Sequence, residues 1–426
     1  MAVAIAPQAL LPLDRTEVER LSRRREEPDW LLQARLASLA SLRPEDWPTG
    51  AAEEWRRFPL QGLPAGPLVV DEPPGPPSEY SSIPLEAAHK GVIFDRWTDA
   101  LKAHPDIVRR ALAASNGGLA SHAAFRALNG AAFAHGSTFV YIPAGVAVEL
   151  PLHVQKHWGA GTGAMVYRTV ILAEPGSSVT IVEEVTSAGG GKGRVAIPGL
   201  EVIAGDGAHV RYVGIQRFGD DVWDLGFQHY TSKRDSTVLS FNVLVGSHKT
   251  KLGIDSDIQG DGATVKLYGL VAAGADQRID VNSLQRLDGR ASTSDLLYLS
   301  ALYDRAHATY YGVIRVEPTS HGSGSYQECR NMLLSDKAGA DPIPVLEILT
   351  NDVARCGHGA TAGRLDDLEL FYVMSRGLDR ASAEQLLVRG FFQRVINEIP
   401  DPQVGARVLA ALAPRIGRMA ELEDAA

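Results

Sequence analysis

Between residues 170 and 300 the chain returns five times to one short phrase: a turn, a small residue, then a run that alternates like a strand. The instances are GSSVTI from Gly176, GAHVRY from Gly207, DSTVLS from Asp235, GATVKL from Gly262 and RASTSD from Arg290. With the small residue as marker, at positions 177, 208, 236, 263 and 291, the steps are 31, 28, 27 and 28 residues. A period of that size is the signature of stacked repeats, each burying its apolar face against the units above and below. No helical periodicity intervenes, so the unit is made of strands and the chain should form a β-solenoid. Small residues at the turns fit, because successive rungs lie ~4.8 Å apart. Val179, Val210, Val238 and Val265 should then stack as one inward column in a dry interior.

The texture differs on either side. Residues 1–136 form a helical region with a Pro-rich connector, residues 137–363 the solenoid, and residues 364–426 a C-terminal helical domain. In TEVERLSRRREEPDWLLQARLASLASL, Val18 and Leu21, then Leu32, Leu36 and Leu39, recur at helical spacing, with Pro28 between two helices. The run Arg23 to Glu27 reads as a mixed solvated face. Prolines 59, 64, 67, 73, 74, 76, 77 and 84 mark the connector. Near the C-terminus, Ser382 and Gln385 form a capping-box pattern before LLVRGFFQRVINEI, where Leu387, Phe391, Val395 and Ile399 share a face. Val404, Val408, Leu412 and Ile416 line a second helix.

Composition removes several functions. Net charge is −9, from 42 basic and 51 acidic residues, which argues against nucleic acid as a partner. No apolar run approaches the ~20 residues of a membrane span, and MAVAIAPQALLPLD lacks the basic start of a secretion signal. A cytoplasmic, reducing location is expected. Two cysteines, Cys329 and Cys356, exclude a disulfide framework and any four-cysteine metal site made by this chain alone. GGGKGR from Gly189 lacks the P-loop spacing, GAGTGA from Gly159 precedes a strand instead of a helix, and no G-x-S-x-G occurs. His153 and His157 share a strand face without a third ligand nearby, and Asp255 and Asp257 read as a surface pair. No self-sufficient active site emerges, so the chain is not expected to be an enzyme.

One stretch stands apart. CGHGATAGRLDD, from Cys356, sets a thiol and an imidazole two positions apart in small, flexible surroundings. Spacing alone leaves a turn, a metal site and a thiol catalyst all open. The longer run CGHGATAGRLDDLELFYVMSRGLDRASAEQLLVRGFF resembles the C-terminal signature of the SufB/SufD family of iron–sulfur cluster assembly scaffold proteins, through Cys356, His358 to Thr361, Leu370 to Tyr372, Ser375 to Gly377 and Gly390-Phe391. REEPDWLLQAR, FRALNGAAFAHGSTFVYIPAGVAVELPLH and YQECRNMLLSDKAGADPIPVLEI resemble earlier parts of the same family, in the same order. Gly359 resembles the SufD branch, since SufB relatives more often carry glutamate there.

The resemblance implies a mainly β fold: a right-handed parallel β-helix core flanked by N-terminal and C-terminal helical regions. It implies a non-catalytic subunit of a SufB–SufC–SufD complex, partnered by a SufC-type ABC ATPase and a SufB-type paralogue, or by a second copy when isolated. Its cofactor would be a transient iron–sulfur cluster, or iron, shared with a partner subunit and not stably held by this chain alone. His358 and Cys356 would be the metal ligands. The C-terminal helices would dock the ATPase, with Phe371, Tyr372, Arg376, Phe391 and Phe392 as partner-binding residues and Met374 and Met419 nearby. The alternatives are a SufB-type core scaffold and, from another class, a β-helix carbohydrate-active enzyme, which would need an acid/base carboxylate pair on one solenoid face.

Overall fold

The computed structural model describes residues 13–64, 78–115, 117–133, 136–159, 161–189 and 193–417. The N-terminal 12 residues, much of the Pro-rich connector, parts of the two glycine-rich turns and Met419 lie outside the described residues.

The repeat winds between two sheets of nine strands each. One runs β1 (Ser78–Tyr80), β4 (Leu152–Trp158), β6 (Ser178–Ser187), β8 (His209–Arg217), β10 (Thr237–Leu244), β12 (Thr264–Ala273), β14 (Thr293–Leu302), β16 (Ser323–Leu333), β18 (Val353–Arg364). The other runs β2 (Ile93–Arg96), β3 (Thr138–Ile142), β5 (Gly163–Ala173), β7 (Arg194–Ala204), β9 (Val222–Ser232), β11 (Lys249–Ile258), β13 (Arg278–Leu287), β15 (His307–Val316), β17 (Gly339–Ile348). Strands thus alternate between the sheets and pair in parallel with the strand one turn away, giving a β-solenoid of about 8 turns. Among the described residues only β1 on β4 and β2 on β3 are antiparallel, and these two short strands cover the first rung. At the other end β17 and β18 are edge strands.

The turn that marks each repeat explains the regular stacking. Gly145, Gly176, Gly207, Asp235, Gly262, Ala291 and Gly322 all take left-handed backbone conformations, with φ between 52° and 70°. The N–H of each donates to a carbonyl in the next turn, at Pro175, Asp206, Arg234, Asp261, Arg290, His321 and Asp352 respectively, at 2.8–2.9 Å. A residue in this conformation is favourable mainly as glycine, which is why the repeat is glycine-rich at that point. The next residue, Ser177, Ala208, Ser236, Ala263, Ser292 or Ser323, is buried against the rungs on either side. The fifth marker is therefore Ser292 and not residue 291, because Ala291 occupies the left-handed position.

The valine column forms as expected: Val179, Val210, Val238 and Val265 are in register and buried, and the column continues through Ser294 and Ser325 to Cys356. The interior is not dry, however. Lys156 and Glu183 form a buried ion pair at 3.0 Å that also takes the Thr169 hydroxyl. Gln228, Tyr230, Ser240 and Asn242 form a hydrogen-bonded cluster, and Ser283 bonds Tyr310 at 2.7 Å. Polar groups survive inside because most find partners across the gap between the sheets. Those partners are distant in sequence, so alternation along one strand cannot reveal them.

Helical layers cover the outer faces of both sheets. On the side of β5, β7 and β9 lie α1 (Arg15–Arg24), α2 (Asp29–Ala40), α4 (Trp97–Ala103), α5 (Pro105–Ala114) and α6 (Ala123–Ala132), while the short α3 (Leu85–His89) sets Ala87 against the interior core at the first rung. Phe125 and Leu128 of α6 share a core with Val195, Ile197 and Leu225, and Asn129 donates to the carbonyls of Tyr167 and Ile197. Glu27 is not part of a solvated face, because Arg35, fully buried, holds it at 2.6 Å. On the other sheet lie α8 (Arg380–Ile396) and α9 (Pro402–Gly417), with α7 (Asp367–Met374) packed against α8. Val388, Phe392, Val395, Val404, Val408 and Leu412 pack on Phe241, Val243, Leu270 and Leu299. The apolar face of α8 is thus rotated from the expected one, and Asp379 is its N-cap, accepting from the Ser382 amide at 2.7 Å. The C-terminal helices α8 and α9 therefore lie along the flank of the solenoid, and among the described residues no strand covers its last rung.

Substituting aspartate for Val210 would bury a charge with no cation within its apolar column. A loss of roughly 3–5 kcal/mol is expected. Thermal denaturation should show a much lower melting temperature or an insoluble chain, and an unchanged melting temperature would refute this register.

Candidate functional site

CGHGATAGR is not a flexible turn. It belongs to β18, the final strand, and pairs along its length with β16. Glycine and alanine are weak strand formers, so the conformation is imposed by the ladder that β16 provides on one side. Ser325 faces Cys356, Gln327 faces His358 and Cys329 faces Ala360. Cys356 packs at the end of the interior core, and strand alternation puts His358 on the same side. Gly357 and Gly359 alternate onto the outer face, over the Tyr326 ring. A Cβ on Gly359 would lie 3.0 Å from the Tyr326 hydroxyl, closer than most real contacts, so the bare backbone fits this tyrosine.

The two candidate ligands sit in different surroundings. Cys356 is half-buried, and burial pushes its thiol above the ordinary range. Such a thiol does not form thiolate by itself, and a metal or a nearby cation would be needed to draw the proton off. His358 is exposed. Beneath them, the Ser325 hydroxyl is buried without a hydrogen-bond partner, and Gln327 donates to the Gly312 carbonyl at 3.1 Å. Among the described residues no group of three histidine, cysteine or acidic side chains converges on a possible metal position. The last rung therefore sets a thiol and an imidazole, donors of different hardness, beside a strand edge with no pairing strand among the described residues.

Ser325, Gln327 and Tyr326 were not singled out by the sequence. A signal existed: from Ser294 to Ser325 and from Ser325 to Cys356 the step is 31 residues, the first step of the repeat again. Extending the period past residue 300 places Cys356 in the valine column. Cys329 is buried one rung earlier, its thiol pushed up to about 12 by burial. His153 and His157 share the outer face of β4, where His157 bonds the Thr186 hydroxyl at 2.9 Å. Asp255 and Asp257 are not a surface pair. Both are buried, Asp255 against His229 at 3.1 Å and Asp257 against Arg286 at 2.8 Å.

The proposed partner residues divide. Phe371 is 70% exposed and Tyr372 60%, and Leu368 beside them is 77% exposed, while Leu370 alone anchors α7. Arg376 lies over the Tyr372 ring, 5.0 Å from its centre, and bonds its hydroxyl at 2.9 Å. Met374 is exposed as well. Phe392 is different: it is fully buried between α8 and the sheet, because it falls on the face of α8 that packs on β12 and β14. It has no surface to offer a partner. Phe391, next to it, is half-buried with its ring 5.6 Å from that of Phe392.

Comparison with known proteins agrees with this architecture. Residues 156–391, more than half of the chain, match the family model described as SUF system FeS cluster assembly, SufBD core domain. The iron–sulfur cluster assembly protein SufD of Bacillus subtilis is 29% identical over 338 residues, covering 79% of this chain and 77% of the relative. SufB of the same organism is 26% identical over 421 residues, covering 90% and 89%. An iron–sulfur cluster assembly SufBD family protein of Synechocystis sp. is 29% identical over 323 residues, covering 74% of this chain and 66% of that protein's length. From the two-sheet solenoid, the Cys-x-His strand that ends it and the core match, the chain belongs to the SufBD family of iron–sulfur cluster assembly proteins.

Proposed function

We propose that the chain is a SufD-like, non-catalytic subunit of a SufB–SufC–SufD-type scaffold, and that its open solenoid end is half of a cluster-assembly site. The observation that carries this is the last rung, where two competent iron ligands lie beside an unpaired strand edge and no third ligand joins them. An exposed edge strand readily accepts a strand from another chain. A SufB-type subunit added there would bring the missing ligands, since thiolate and imidazole both bind iron in clusters. The cluster is then cargo built between two chains. Gly359 supports the SufD side: the glutamate of SufB relatives would stand on the outer face, where the Tyr326 hydroxyl lies close.

In this reading α7 receives the SufC-type ATPase. Leu368, Phe371, Tyr372 and Met374 put apolar and aromatic surface in water, with Arg376 held beside it, a composition typical of interface cores. The free thiols Cys329 and Cys356 suit a reducing, cytoplasmic compartment. The carbohydrate-enzyme alternative loses its best acidic pair, because Asp255 and Asp257 are buried and ion-paired.

His358→Ala should change folding stability by no more than about 0.5 kcal/mol, as for other exposed positions, while cluster assembly in the reconstituted complex falls by roughly tenfold or more. Cys356→Ser, at a half-buried position, should show a smaller loss. Iron and acid-labile sulfide in the purified complex measure both, and normal cluster content in both variants would exclude the interfacial site.

The double variant Phe371→Ser, Tyr372→Ser should keep the wild-type melting temperature and lose most of the ATPase in co-purification. Undiminished ATPase recovery would remove α7 as the docking element. Surface substitution is the informative test, because deleting α8 and α9 would expose the apolar face of β8 to β14 and unfold the flank.

A further inference from the structure

One hydroxyl near the open end of the solenoid is buried and unpaired. Ser325 on β16 is 1% exposed, and its Oγ has neither solvent nor a hydrogen-bond partner. Burying a polar atom without a partner is costly, so each exception calls for a reason.

Packing does not supply one. Ser325 stands in the inward column that holds valine at positions 179, 210, 238 and 265, so a β-branched apolar residue suits this column. The column turns to serine only at its last two positions before Cys356. Ser294, the first of these, accepts from Gln285 Nε2 at 2.6 Å and so has a structural use. Ser325 has none. The next inward residue of its own strand, Gln327, is committed elsewhere, with Nε2 donating to the Gly312 carbonyl at 3.1 Å.

The residue in register with Ser325 on the open side is Cys356, which packs at the end of the same interior core. Adjacent strands lie ~4.8 Å apart, so turning the serine about χ1 brings its hydroxyl within reach of the sulfur. A thiol is a weak acceptor and holds no such donor firmly. A thiolate is a far better one, because hydrogen bonds to charged acceptors are stronger.

We infer that Ser325 is a positioning residue for Cys356, its Oγ–H donating to the sulfur once that sulfur is bound to iron as thiolate. The inference rests on the assembly-site reading above. A hydrogen bond to a ligating sulfur favours the more negative, reduced cluster and so raises its reduction potential. Valine could not do this, which accounts for the change of residue at the end of the column.

The test compares Ser325→Val with Ser325→Thr in the complex reconstituted from this chain and its SufB-type and SufC-type partners. The two replacements are β-branched and of nearly equal size, and differ in the hydroxyl. Valine is already the residue of this column, so both variants should fold. In Ser325→Val the midpoint potential of the cluster, read by spectroelectrochemistry, should shift to a lower value, and Ser325→Thr should keep the wild-type value. Ser325→Ala, which removes only the oxygen, should match the valine variant and gives the same reading if valine crowds the rung. A wild-type potential in Ser325→Ala or Ser325→Val would overturn the inference, and would leave the assembly site standing wherever Cys356→Ser still lowers iron and sulfide content. Normal cluster content in Cys356→Ser would remove the ligand, and the role of Ser325 with it.

Discussion

The placement of Cys356 and His358 is inherited from the turn ladder. Seven left-handed residues, Gly145 to Gly322, each donate an amide to the next turn, and this fixes the height and register of the rungs. Side chains alternate between the faces of a strand, so a slip of one residue would bring Gly357 and Gly359 to the interior and turn Cys356 and His358 outward. The valine column that supports Cys356 and the buried face under α8 would be lost together. Backbone hydrogen bonds at the corners, more than any feature of the last strand, therefore place the thiol and the imidazole.

The two ends of the solenoid are not equivalent. The first rung is covered by β1 and β2 running antiparallel to it, which blunts the edge. The last rung carries β17 and β18, and no strand among the described residues pairs beyond them. The helices do not correct this, because α8 and α9 spend their apolar faces on the flank and α7 presents its aromatic residues to solvent. The molecule thus presents two separate surfaces, a backbone edge that carries Cys356 and His358 and a helical aromatic patch.

Much of this was legible in the sequence, for identifiable reasons. The repeat was visible because the corner demands a residue tolerant of positive φ followed by a small one, a local requirement that recurs at Gly176, Gly207 and Gly262. Helices α1, α2, α8 and α9 were visible through their apolar spacing. The polar interior was not, because Lys156 meets Glu183, and Gln228 meets Asn242, only after the chain has wound round. The strand character of β18 was hidden by its glycines, which serve the close approach to Tyr326. Phe391 and Phe392 are neighbours of one type, and only the packing of α8 decides that the second is core. Cys356 and His358 were found by resemblance, and the geometry adds that both belong to the strand at the open end.

In the proposed complex the β18 edge is completed by another chain. Amide hydrogen exchange over residues 353–364, in the isolated protein and after addition of the SufB-type subunit, measures this directly. Amides of β18 that point away from β16 should exchange quickly in the isolated chain and become strongly protected in the complex, while those of β8 to β12 stay unchanged. A complex that forms with no added protection anywhere in residues 353–364 would contradict the account.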